Sequence, residues 1–189
     1  LGEFSALVCA GTLTFADAVQ LVRLRGQFMQ SAVPVGVGAM AAIIGLDDDV
    51  INDVCSRVAA QQEGVVAAVN FNSPGQVVIA GHATAVDAAI SALNEAGAKR
   101  ALPLPVSAPF HTSLMESAGE QLSEAMATME FATPQIPVVH NVHARTEADP
   151  GIIRDLLTDQ ISSPVQWTNC VQAIKDTGAN RLVECGPGK

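Results

Sequence analysis

The amino-acid sequence predicts an α/β protein with a smaller, self-contained sheet unit set into it. Three observations carry that reading. Stretches with apolar residues three and four apart alternate with short apolar runs bounded by Gly, Pro and Asn, the pattern of helices and strands sharing one core. From Gly38 to Leu104 the order becomes β-α-β-β-α-β, the split βαβ or ferredoxin-like arrangement. Finally, 189 residues at 49% hydrophobic content suffice for one good core or two small subdomains. The expected division is 37–105 for the small subdomain, with 1–36 and 106–189 forming the large one.

Residues 1–10 read as a helix with Phe4, Leu7 and Val8 on one side and Gly11 as its stop. A second helix starts at Thr14, whose hydroxyl can cap it, with Asp17 in capping-box position. It runs to about residue 31 with an apolar stripe of Ala18, Val22, Phe28, Met29 and Ala32. In the inserted unit, a strand over 38–46 precedes a helix capped by Asp47 or Asp48. Strands over 65–70 and 76–80 flank Asn72-Ser73-Pro74-Gly75, a strong turn signal. A helix over 84–96 and a strand over 99–104 complete the unit. Beyond it, 113–129 reads as a helix whose methionines are core filler. Residues 137–142 read as a short strand, 152–161 and 165–177 as helices, and 181–185 as a last strand. Strands of the large subdomain are expected to be parallel, with ligands beyond their carboxyl ends.

Ten Lys and Arg against nineteen Asp and Glu give a net charge of −9. No basic cluster can neutralise phosphates, so a nucleic-acid binder is excluded. An acidic body that handles an anionic ligand must rely on a few focused cations. No apolar run is long enough for a membrane helix, and nothing resembles a signal peptide. Cys9, Cys55, Cys170 and Cys185 lie far apart with no C-x-x-C, which argues against a zinc site or a disulfide framework. A reduced, cytoplasmic setting is expected. His140 and His143 form an H-x-x-H on a short strand without a third ligand, and are read as surface residues. His82 precedes a helix and reads as a capping or solvated residue. No metal and no cofactor are expected. The sequence opens at Leu1 inside a helix and closes on Gly186-Pro187-Gly188-Lys189, so it reads as cut at both ends.

Two residues stand out chemically. His111 follows the rigid run Leu102-Pro103-Leu104-Pro105-Val106, in which each residue before a proline is held extended, and precedes a helix. An imidazole on a loop with rigid flanks suits proton transfer near neutral pH, although a capping role fits the same position. Arg25 lies in the apolar stripe of the second helix. Its neighbours at three and four residues are Leu21, Val22, Phe28 and Met29, so no local carboxylate can pair with it. A charge on a buried face needs a partner from elsewhere, either a structural Asp or Glu or a ligand carboxylate.

The motifs Leu1-Gly2-Glu3, Arg25-Gly26-Gln27-Phe28-Met29, Asn70-Phe71-Asn72-Ser73-Pro74-Gly75-Gln76, Pro109-Phe110-His111 and Pro164-Val165-Gln166-Trp167 occur in this order along the chain. Together with the closing Gly-Pro-Gly-Lys they resemble the malonyl-CoA:acyl carrier protein transacylases of fatty acid synthesis, across essentially the whole chain. The resemblance implies an α/β-hydrolase-like large subdomain and a nucleophilic serine in Gly-His-Ser-Leu-Gly-Glu. This chain starts at the Leu of that motif, so the serine falls before Leu1, and Ser5, inside the helix, cannot replace it. By resemblance, His111 is the general base and the main-chain carbonyl of Gln166 orients it. The backbone N–H of Leu1 is one oxyanion donor, and Arg25 binds the malonyl carboxylate. Met29 and Phe110 belong to the substrate site, Phe110 by crowding out α-branched acyl groups. The implied partners are malonyl-CoA and acyl carrier protein, without nucleic acid or membrane, for a monomer when complete. Lys99, Arg100 and Lys189 are candidates for the carrier-protein docking face. An acyltransferase domain of a polyketide or fatty acid synthase, or a non-catalytic carrier-binding remnant, are the alternatives.

Overall fold

A computed structural model describes residues 1–62, 64–106 and 108–186. Helix α1 (Gly2–Cys9) is followed by α2 (Phe15–Ser31), which starts at Thr14. The Thr14 hydroxyl accepts from the Asp17 N–H at 3.1 Å and so satisfies a donor that the first turn leaves open. Phe4 and Leu7 of α1 and Leu21 of α2 are fully buried in one cluster. That cluster also holds Leu122 and Met126 of α5 (Glu116–Met126) and Ile153 and Leu157 of α6 (Pro150–Asp159). A short 3-10 turn at Ser113–Met115 leads into α5, so the helix expected over 113–129 begins with a tighter turn and stops three residues sooner. Each large side chain removed from water here contributes about 1.5–3 kcal/mol.

The inserted unit runs β1 (Gly38–Ile44), α3 (Asp48–Gln62), β2 (Val66–Ser73), β3 (Gln76–His82), α4 (Ala83–Glu95) and β4 (Arg100–Pro103). Its strands pair antiparallel in the order β2-β3-β1-β4. The β2–β3 turn is tighter than the four-residue signal suggests: Ser73 pairs with Gln76 around Pro74-Gly75, with Gly75 at φ 74°. Alternation along the strands separates two faces. Ala41, Ile43, Val77 and Ile79 pack on α3 and α4, whereas Met40, Val78 and Ala80 turn the other way. Phe110 packs against that second face and against the helical cluster, and so joins the two cores.

Further contacts tie the halves together. A Cβ on Gly38 would lie 2.3 Å from Cδ of Pro109, so only glycine lets β1 approach the His111 loop this closely. Val165 forms an isolated parallel bridge with Asn70, donating to the Val69 carbonyl at 2.7 Å and accepting from the Phe71 N–H at 2.9 Å. The Thr168 hydroxyl of α7 (Trp167–Asp176) donates to the Phe71 carbonyl at 3.0 Å.

The expected parallel sheet of the large subdomain is corrected. Residues 137–142 yield only β5 (Val139–His140), which pairs antiparallel with β6 (Arg145–Thr146). Residues 181–185 form no strand, and Leu182 and Val183 are 68% and 70% exposed. A strand must satisfy its N–H and C=O groups on a neighbour, and these segments have no parallel neighbour among the described residues. No helix among the described residues is long and apolar enough to cross a membrane.

Candidate active site

The site forms where the N-terminus of α1, the middle of α2, the His111 loop and the C-terminal end of α6 meet. His111 has φ 63°, an uncommon left-handed conformation for a residue with a side chain. Buried Ala108 and Pro109 hold the loop, and the Thr112 hydroxyl donates to the Pro109 carbonyl at 2.7 Å. Holding a non-glycine residue there costs on the order of 1–3 kcal/mol, strain of the kind that concentrates at functional sites. His111 Nδ1 lies 3.0 Å from the main-chain carbonyl oxygen of Gln160. A carbonyl only accepts, so Nδ1 carries the proton and Nε2 presents a lone pair. Burial pushes the His111 pKa below its usual value. The Gln160 hydrogen bond opposes that shift, the Arg25 charge reinforces it, and the Ser163 carbonyl opposes it more weakly.

His111 and Gln160 share a cavity of about 610 Å³ with Leu1, Glu3 and Arg25. Arg25 is half-buried, and its Nε is enclosed without a hydrogen-bond partner. No ion pair reaches it within 4 Å among the described residues. Burial lowers its pKa and the charge of Glu3 raises it. Apolar side chains, among them Ile136, Val138 and Trp167, line the same cavity. The combination suits a ligand with a carboxylate at one end and an acyl carbon near an imidazole base.

Glu3 is fully engaged. Its Oε1 accepts from His140 Nδ1 at 2.7 Å and its Oε2 from the Asn141 N–H at 3.2 Å. Asn141 extends the network, donating from Nδ2 to the Pro164 carbonyl and accepting the Gln166 N–H on Oδ1. The reading of His140 as a surface residue is therefore corrected: it is 0% exposed, enclosed where β5 packs on α7 and its ring meets Glu3 of α1. His143 is half-buried, 6.2 Å from His140 in an edge-on ring contact. His82 precedes α4 without capping it through its side chain; its Nδ1 accepts from the Val65 N–H at 2.9 Å.

Other expected site residues are placed as follows. Gln166 does not hold His111. Its carbonyl accepts from Cys170 in the first turn of α7, whereas Gln160, at the C-cap of α6, has a carbonyl free of intrahelical bonding. The α6 stop before Ser162-Ser163-Pro164 was the signal that could have pointed to Gln160. Met29, at 4% exposure, packs in the helical cluster one turn beyond Arg25 and is not among the residues lining the cavity. Phe110 does not line the cavity but joins the two cores. Leu1 lines the cavity from the N-cap of α1. Lys99 and Arg100 are exposed around the start of β4, and Lys189 lies outside the described residues. Glu3, half-buried in the cavity it shares with Arg25, is the acidic neighbour that periodicity did not point out.

Comparison with known proteins identifies the family to which this fold and cavity belong. The acyl transferase domain family matches residues 1–187, and the chain belongs to that family. It is 56% identical over its whole length to the malonyl CoA-acyl carrier protein transacylases of Salmonella typhimurium and of Escherichia coli strain K12. It spans 60% of the length of these curated relatives. Among solved structures, the acyl-carrier-protein S-malonyltransferase of Burkholderia pseudomallei superposes with a TM-score of 0.96 at 52% identity, over 99% of this chain and 60% of that one. A malonyl-transacylase solved in complex with its type II PKS acyl-carrier protein superposes at 0.95 with 51% identity, over 98% of this chain and 60% of that one.

Proposed function

We propose that the chain is the greater part of a malonyl-CoA:acyl carrier protein transacylase. The carrying observation is His111, fixed by Gln160 with its Nε2 lone pair available, in one cavity with an arginine that has no ion pair among the described residues. The nucleophile is a serine immediately before Leu1, in the Gly-His-Ser-Leu-Gly-Glu motif that the resemblance implies.

His111 Nε2 takes the serine proton as Oγ attacks the thioester carbonyl of malonyl-CoA. The Leu1 N–H stabilises the resulting oxyanion. Collapse breaks the C–S bond, and the proton on Nε2 passes to the departing CoA thiolate. The acyl-serine is then attacked by the phosphopantetheine thiol of the carrier protein, whose proton His111 accepts and returns to serine. Arg25 holds the malonyl carboxylate bidentately and so orients the acyl group through both steps. A main-chain carbonyl takes the place of the aspartate of a serine–histidine–aspartate triad.

In this reading, 37–105 is a ferredoxin-like subdomain set into an α/β-hydrolase-like one formed by 1–36 and 106–189, in a cytoplasmic monomer. Lys99 and Arg100 belong to the carrier-protein docking face. The relative solved with a type II PKS acyl-carrier protein favours polyketide carriers as a second partner class.

The test is to incubate the complete protein with malonyl-CoA and digest it for mass spectrometry. A malonyl adduct on the serine preceding Leu1, discharged by the carrier protein, is expected. No adduct, or an adduct elsewhere, overturns the reading.

A further inference from the structure

Glu3 and Arg25 line the same cavity with opposite charges, and Glu3 is close enough to act on the guanidinium electrostatically. A carboxylate and a guanidinium in one partly buried space ordinarily close into a short, bidentate pair. Here they do not: among the described residues Arg25 has no ion pair within 4 Å and its buried Nε has no partner. The reason is on the other side of Glu3. His140 Nδ1–H holds Oε1 at 2.7 Å, and the Asn141 N–H holds Oε2 at 3.2 Å. His140 Nε2 is buried without a partner and the residue does not line the cavity, so keeping this imidazole inside the fold carries a desolvation cost.

We infer that His140 is a positioning residue that sequesters Glu3 and thereby keeps Arg25 open for the carboxylate of the acyl substrate. The inference rests on the reading of Arg25 as the malonyl-binding residue. With the His140 donor removed, Oε1 of Glu3 is released and Arg25 becomes its best remaining partner. The enzyme's own carboxylate then competes with the substrate's. Weaker binding of carboxylated acyl groups follows, while the reacting centre at His111 is untouched.

The variant to make in the complete protein is His140→Phe, which keeps a ring in the buried space and removes the donor. The expected result is a KM for malonyl-CoA raised on the order of tenfold or more, the scale of one lost hydrogen bond to a charged group. The kcat should stay within about threefold, because the change falls on ground-state binding. Adding Glu3→Gln should return KM to near its original value, since the neutral amide cannot pair with Arg25 as an ion. A merely structural role for His140 would not be rescued by removing that charge. An unchanged KM in His140→Phe, or a raised KM that Glu3→Gln does not restore, overturns the inference. Should His140→Phe alone fail to fold, the double variant decides by the same KM criterion. If neither folds, the pair serves fold integrity and the inference falls. Failure of the underlying reading shows separately: the unaltered protein would then handle malonyl-CoA and acetyl-CoA alike.

Discussion

His111 donates from Nδ1 to the main-chain carbonyl of Gln160, 3.0 Å away in space and 49 positions further along the chain. The bond runs from a strained loop to a helix end whose last carbonyls have no intrahelical donor, so each group meets a need of the other. Because the acceptor belongs to the main chain, no ionisable partner is required to fix the tautomer.

Removing the imidazole tests that role directly. His111→Ala in the complete protein should lower kcat for malonyl transfer by about 10²–10⁴-fold, the usual range for a general acid–base residue. Activity within a few fold of the original would refute it.

The acceptor at Gln160 is the main-chain carbonyl, so the bond to His111 does not depend on the Gln160 side chain. Replacing that side chain with leucine leaves the carbonyl in place, and Gln160 Nε2 is buried without a partner. Gln160→Leu should therefore keep kcat within about threefold, because an unsatisfied buried amide can give way to an apolar group of similar shape. A large loss of kcat in a folded Gln160→Leu protein would show that the side chain takes part in the chemistry.

The pH dependence follows from the direction of the His111 shift. Burial, set against the Gln160 bond, leaves the folded-state pKa below the ordinary histidine value of about 6.5. The neutral base thus persists to lower pH, and the acid limb of kcat/KM should fall below 6.5. The sign for stability is fixed by the same shift. The unfolded chain protonates this group first, so its contribution is lost as pH drops from 6.5 towards the folded pKa and changes no further below it. An acid limb above 6.5 would contradict the assignment.

Arg25→Ala should raise KM for malonyl-CoA on the order of tenfold or more, by loss of a charge-assisted pair. It should also narrow the preference over acetyl-CoA. Competition assays with the two thioesters measure both, and an unaltered preference would remove Arg25 from the substrate site.

Gly38→Ala probes the seat of the catalytic loop. Its new Cβ would meet the Pro109 ring at 2.3 Å, so β1 or the loop must move. A loss of about 1–3 kcal/mol in unfolding free energy is expected, with lowered kcat from a displaced His111. Denaturant melts and steady-state kinetics on one preparation check both.

Local pattern along the chain was enough for most of the elements, because helix and strand periodicity, caps and Pro-Gly turns act over a few residues. Thr14 caps α2 through the Asp17 N–H as its spacing requires, and the order of elements from Gly38 to Pro103 follows from periodicity alone. Arg25 was also legible, since a cation on an apolar stripe without a carboxylate three or four residues away declares that its partner lies elsewhere. That logic stops where contacts join distant segments. Whether 137–142 and 181–185 become sheet depends on neighbours that periodicity does not specify. Only packing chose the carbonyl of Gln160 over that of Gln166, because the choice turns on which helix end faces the loop. The burial of His140 against Glu3 is of the same kind: an H-x-x-H spacing carries no information about a carboxylate 137 positions away, and only folding α1 over β5 brings them together.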